Sequence, residues 1–161
     1  IIDDRTEEHA ERGTRIHALI KTTLAPPASW VPYVSWGAYG GYETSFSLWL
    51  AEKHPTTLAT ELLVYDPISD VAGTLDWFGV LDDALWVLDW KSGGEAAWHA
   101  LQTAAYKRIL MQHCSRNIRR GALYLHEDGH VATLRAHYKP SDERIFQAAL
   151  AVERFKGRTH V

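Results

Sequence analysis

Two apolar, strand-like runs carry charges that an ordinary strand avoids. The stretch GTLDWFGVLDDALWVLDWKSGG, residues 73–94, holds Asp76 in its first run and Asp89 and Lys91 in its second. A carboxylate or ammonium among apolar neighbours is costly unless it is paired or bound to a metal. Side chains alternate faces along a strand, so Asp89 and Lys91 share one side and Trp90 takes the other. A hairpin turning at Asp82-Asp83 brings Asp76 close to Asp89 when the register allows. Two adjoining carboxylates raise each other's pKa, and a divalent cation relieves the repulsion. Oxygen ligands suit magnesium or manganese, which keep water and substrate phosphate in the remaining positions. Lys91 beside such an ion is placed to orient or deprotonate a water, or to stabilise charge building on phosphorus. The bland alternative is a solvated Asp–Lys pair on an exposed sheet face, which is what most isolated Asp-x-Lys sequences are.

Positioning these groups requires elements on either side of the hairpin. Residues 4–23 read as a helix, with Ile16, Leu19 and Ile20 starting an apolar face. Gly13 is expensive in a helix interior and is expected to admit another backbone at close range. His17 lies one turn further on; a lone helical histidine is more often filler than ligand, yet neutral imidazole completes a metal site well. Residues 24–43 carry three prolines and three glycines and read as a long loop, followed by a short helix from Thr44 that stops before Pro55. Strands are expected at 58–66, 71–82 and 84–92, then a helix over 95–113 that puts Gln102 and Tyr106 on one face. Residues 119–138 read as a hairpin with a Glu-Asp-Gly turn, and 141–157 as a helix capped by Ser141 and ended by Gly157. Helices interleaved with a central run of strands predict an α/β fold, a mixed sheet covered by helices.

The chain of 161 residues, 46% hydrophobic and 23% charged, has the length and composition of one globular domain over 1–161. No run of 18 apolar residues predicts a membrane span, and the charged N-terminal stretch lacks a signal-peptide core, so a cytoplasmic location is expected. The single cysteine, Cys114, excludes an internal disulfide, a cysteine-only zinc site and a four-cysteine iron–sulfur cluster within the chain. A net charge of −3 argues against electrostatic coating of nucleic acid, but not against an acidic metal site beside a local basic surface.

Four short motifs occur in order: GTRIHALI, GTLD, VLDWKSG and QTAAY. Together they resemble the RecB-type branch of the PD-(D/E)XK nuclease superfamily, which has a Gly-x-x-x-His helix, a Gly-x-x-Asp strand, an Asp/Glu-x-Lys strand and a Gln-x-x-x-Tyr helix. The matches are Gly13 with His17, Gly73 with Asp76, Asp89 with Lys91, and Gln102 with Tyr106, over roughly residues 10–110. The resemblance implies a restriction-endonuclease-like core, a central mixed β-sheet flanked by helices. It implies that His17, Asp76, Asp89 and the Trp90 carbonyl hold Mg2+ or Mn2+, and that Asp76, Asp89 and Lys91 are catalytic. Gln102 and Tyr106 would brace the site or contact DNA, and Glu61 on the preceding strand would be an auxiliary ligand. No Gly-x-x-x-x-Gly-Lys-Ser/Thr is present, so no helicase motor accompanies the motifs.

The implied activity is metal-dependent hydrolysis of DNA phosphodiester bonds. Exonuclease action on single-stranded or end-bearing DNA ranks first and structure-specific endonuclease action second. A non-catalytic DNA-binding or interaction module on the same fold is the rival from another class. A small unit of this kind fits recombination or DNA processing in a bacterial or phage-infected cytoplasm, with a recombination or annealing protein as a further partner. The loop at 24–43 carries Trp30, Tyr33, Trp36, Tyr39 and Tyr42. Trp30, Trp36 and Tyr39 are candidates for stacking on unpaired bases, although most of these aromatics are expected to cover the core. Lys107, Arg108, Arg116, Arg119, Arg120 and Lys139 are candidates for phosphate contacts.

Overall fold

A computed structural model of the chain describes residues 4–25 and 35–158. Helix α1 (Asp4–Leu24) is followed by a 3-10 turn (Gly37–Tyr39) that leads directly into α2 (Gly40–Lys53). Strands β1 (Thr56–Asp66), β2 (Val71–Leu81) and β3 (Ala84–Lys91) come next, then α3 (Ala97–Met111), β4 (Ile118–Tyr124), β5 (Thr133–Ala136) and α4 (Ser141–Arg158). The five strands form one mixed sheet in the order β1-β2-β3-β4-β5. All neighbours are antiparallel except β3 and β4, which are parallel. A parallel pair needs a crossover connection, and α3 supplies it. The architecture is α/β, a mixed sheet flanked by helices, and is compatible with a restriction-endonuclease-like core. Among the described residues no helix is long and apolar enough to cross a membrane.

Each sheet face carries its own apolar cluster. Ile16, Leu19 and Ile20 of α1 and Tyr42, Phe46 and Trp49 of α2 pack on Trp77, Trp86, Leu88 and Trp90. On the other face, Tyr106 and Ile109 of α3 pack on Val64, Leu75, Leu85, Val87 and Ile118. Helix α4 lies against α3. Alternation along β3 thus sends Trp86, Leu88 and Trp90 to one side and Leu85 and Val87 to the other.

Three expectations change. Helix α2 starts at Gly40 rather than Thr44. Gly41 is there for contact, because a Cβ on it would lie 1.7 Å from the Glu127 carbonyl oxygen. The glycine pair that read as a helix breaker instead seats the β4–β5 connection against α2. Among the described residues nothing packs closely on Gly13: a Cβ there would meet none of their atoms within 4 Å outside its own helix. Trp36 is 4% exposed and belongs to the core, so it has no free face for a base; Tyr42 is buried with it and Tyr39 is half-buried against the same cluster. Trp30 and Tyr33 lie outside the described residues.

Candidate metal-dependent active site

The site sits where β2 parts from both neighbours. Pairing of β2 with β3 ends at Trp77↔Leu88, so Asp76 and Asp89 are opposite each other one step beyond the last rung. Pairing of β1 with β2 runs Thr60↔Trp77 and then Leu62↔Leu75, leaving Glu61 and Asp76 without a rung. The side-chain phase of β2 slips at this point. Leu75 packs with the α3-side cluster and Trp77 with the α1-side cluster, although residues two apart on a regular strand share a face. The break opens a fork that side chains from both layers can enter.

Trp90 pins the β3 side of the fork. Its indole is wedged among Phe46, Trp49 and Trp77, with ring centroids 5.5–6.2 Å away. Both of its main-chain groups then point into the fork. The Trp90 N–H donates to Asp76 Oδ2 at 2.7 Å, and the Trp90 carbonyl meets His17 Nε2 at 3.0 Å. His17 Nδ1 lies 3.3 Å from Asp76 Oδ1. The imidazole thus lies between two acceptors, the Trp90 carbonyl and the Asp76 carboxylate. Burial pulls the His17 pKa down, but the Asp76 carboxylate and the Trp90 carbonyl outweigh it, and the pKa is raised.

Asp89 is 1% exposed. Burial, with the adjoining Asp76 carboxylate, pushes its pKa up to about 7 against the pull of Lys91. Lys91 Nζ rests against Asp89 Oδ2. The Lys91 ammonium is then held from α3. It donates to Gln102 Oε1 at 3.1 Å, Gln102 Nε2 donates to the Tyr106 hydroxyl at 3.3 Å, and Tyr106 donates to the Thr74 carbonyl at 2.8 Å. Gly73 completes this brace, because a Cβ on it would sit 2.9 Å from Tyr106 Cε1. The four-residue spacing of Gln102 and Tyr106 thus lets one helix face reach both β2 and β3.

The donor set fits a small divalent cation. One ligand atom each from His17, Glu61 and Asp76 lies within 4.8 Å of the others. Asp89, opposite Asp76, falls outside that group of three and is paired with Lys91, while the Trp90 carbonyl faces His17 Nε2. Imidazole, carboxylates and a carbonyl suit magnesium and, better, manganese. Glu61 is more central than its sequence context indicated. Its φ is +50° within an 11-residue strand, a left-handed conformation that costs a non-glycine residue of order 1–3 kcal/mol. That strain carries the half-buried Glu61 carboxylate to the fork.

Sequence reasoning passed over the neighbours of Lys91 on α3. The ammonium lies 4.7 Å from the centroid of the Trp98 ring. Behind it, His99 Nδ1 is 2.7 Å from the Tyr124 hydroxyl, and burial with the nearby Lys91 charge lowers the His99 pKa to about 4. The adjacent Trp-His pair at the start of a helix was the available signal. Of the basic candidates, Arg120 is buried on Asp142 at 2.6 Å and Arg108 bridges Asp66 and Glu143, so both are committed within the fold. Arg116, Arg119 and Lys139 remain exposed. No family model matches this chain, and no curated protein sequence matches it.

Proposed function

We propose that the protein is a divalent-metal-dependent deoxyribonuclease of the PD-(D/E)XK type, akin to the RecB branch. One observation carries the reading. The β2–β3 fork gathers His17, Asp76, Asp89, Lys91 and the Trp90 carbonyl, residues from three of the four motifs. The fourth motif, Gln102 with Tyr106, holds Lys91 in place. A surface ion pair does not fit, because Asp89 is 1% exposed and the Lys91 side chain 15% exposed.

His17, Asp76, Asp89, Glu61 and the Trp90 carbonyl are the residues that would hold Mg2+ or Mn2+. When bound, such an ion polarises the phosphoryl oxygens and lowers the pKa of a nearby water. The protein's own contribution is positional and electrostatic. Gln102 keeps the Lys91 ammonium at the edge of the fork, where it neutralises charge on a reacting phosphate or orients the attacking water. Among the described residues nothing lies within 4 Å of a Cβ on Gly13, one turn before His17, which leaves room among them for a phosphate backbone to approach the site. The preference for ends and single strands comes from the motif resemblance.

The test is incubation of end-labelled linear and circular DNA, single- and double-stranded, with Mg2+, Mn2+ or EDTA. Metal-dependent shortening of linear DNA with circles left intact is the expected result. Cleaved circles would move the reading to endonuclease action. Tight DNA binding with no cleavage under any metal would move it to a non-catalytic module.

A further inference from the structure

A groove of about 930 Å³ lies next to the Trp98 ring that carries the Lys91 ammonium over its face. It lies between the first turn of α3, strand β5 and the start of α4. Its lining includes Tyr124, the residue paired in register with Lys91, and Trp98, whose ring lies 4.7 Å from the Lys91 ammonium, so the groove adjoins the proposed site. Trp98 and Tyr138 stand on its walls, 56% and 79% exposed. That exposure is unusual here. The other five tryptophans among the described residues, Trp36, Trp49, Trp77, Trp86 and Trp90, are each 5% exposed or less. A tryptophan in the first turn of a helix, largely in solvent, adds little to folding. The Trp98 ring is nonetheless set in place, by His99 at 4.3 Å between centroids and by the Lys91 ammonium over its face.

The charge along the groove suits a polyanion. Its acids are answered within the fold, Glu95 by Arg135 at 2.7 Å and Asp142 by Arg120 at 2.6 Å. Beyond Tyr138 the groove meets a second hollow of about 420 Å³, which shares His137, Tyr138 and Lys139 with it and adds Lys107 and Arg119. The path thus adjoins the Lys91 ammonium, passes two exposed rings and reaches Lys139, Lys107 and Arg119, where the one acid, Glu143, is paired with Arg108.

We infer that this groove binds single-stranded DNA, with unpaired bases stacked on Trp98 and Tyr138 and the backbone continuing toward Lys139 and Arg119. The inference rests on the nuclease reading for its direction, since it assigns the strand flanking the phosphate at Lys91. Stacking on aromatic rings tolerates any base, and a duplex offers no unstacked base to the groove. Substrates with an unpaired end would therefore be favoured over blunt duplexes.

The experiment measures binding of fluorescein-labelled dT12 and of a blunt 12-base-pair duplex in EDTA, by anisotropy, alongside cleavage of labelled single strands in Mn2+. The proteins are wild type, Trp98→Ala, Trp98→Phe and Tyr138→Ala, each checked by thermal melting. Trp98→Ala and Tyr138→Ala should each weaken dT12 binding by about 5- to 100-fold. Trp98→Phe should keep most of the affinity, and duplex binding should change little. Wild-type tryptophan fluorescence should be quenched by dT12, and that quench should be lost in Trp98→Phe. Wild-type dT12 affinity in folded Trp98→Ala overturns the inference, as does a wild type that does not bind dT12. If wild type cleaves DNA but Trp98→Ala binds and cleaves single strands normally, the groove assignment fails and the nuclease reading stands. If dT12 binds through Trp98 and nothing is cleaved, the nuclease reading fails and the groove stands.

Discussion

The Asp76–Asp89 pair makes the metal-free protein sensitive to pH in an unusual direction. Asp89 keeps its proton up to about pH 7 in the folded state, whereas an unfolded aspartate loses it near 3.8. Between those values the native state binds the extra proton, so stability falls as pH rises, and it levels off above about 7. A shift of about three units corresponds to at most ~4 kcal/mol for this buried group. In a domain of this size that amounts to roughly 10 °C in Tm. His17 acts in the same direction. Its raised pKa stabilises the fold below 6.5, and that contribution is lost as pH rises through its folded value. Thermal melts in EDTA from pH 5 to 8 should therefore show Tm falling with pH. Asp89→Asn removes the buried charge and should flatten the slope below pH 7, leaving the shallower His17 component. At pH 8, millimolar Mn2+ should raise the Tm of wild type by several degrees and that of Asp89→Asn much less. Equal slopes in the two proteins, or no response of wild type to Mn2+, would refute the paired-carboxylate argument.

Other perturbations separate structure from chemistry. Gly13→Ala should stabilise α1 by about 0.5–1 kcal/mol in chemical denaturation, since the added Cβ meets nothing; reduced cleavage by this more stable variant would show that the open space is used by substrate. Gly73→Ala pushes on the Tyr106 ring and so loosens the Gln102–Lys91 brace; cleavage should fall about 10- to 100-fold while Mn2+ affinity measured by calorimetry is kept. Trp36→Ala should cost about 3–5 kcal/mol of stability with little change in dT12 affinity per folded molecule, as expected of a core ring.

The hairpin and the motif order were legible because they are local. Asp82 and Asp83, both at positive φ (48° and 58°), make the two-residue turn that the flanking apolar runs required. Helical spacing put Gln102 and Tyr106 on one face, and that face is hydrogen-bonded to Lys91 on β3 and the Thr74 carbonyl on β2. Strand alternation correctly put Asp89 and Lys91 together. It could not foresee the slip at Asp76, which separates Leu75 from Trp77, or the left-handed Glu61 that brings a carboxylate to the same place. Those depend on two ladders breaking at one rung. Gly41 and Trp36 were misread for a related reason: the carbonyl of Glu127 and the aromatic cluster that explain them are remote in sequence.

The central claim is that Lys91 acts on the reaction while the fork residues hold the metal. Lys91 is cationic and cannot be a ligand while protonated, whereas Asp76 is hydrogen-bonded into the fork beside His17. The direct measurement is cleavage of end-labelled linear DNA by Lys91→Ala in Mn2+, with metal affinity of the same sample determined by calorimetric titration. The account predicts a loss of about 10²–10⁴-fold in rate with Mn2+ binding retained. Cleavage at the wild-type rate by Lys91→Ala would contradict it.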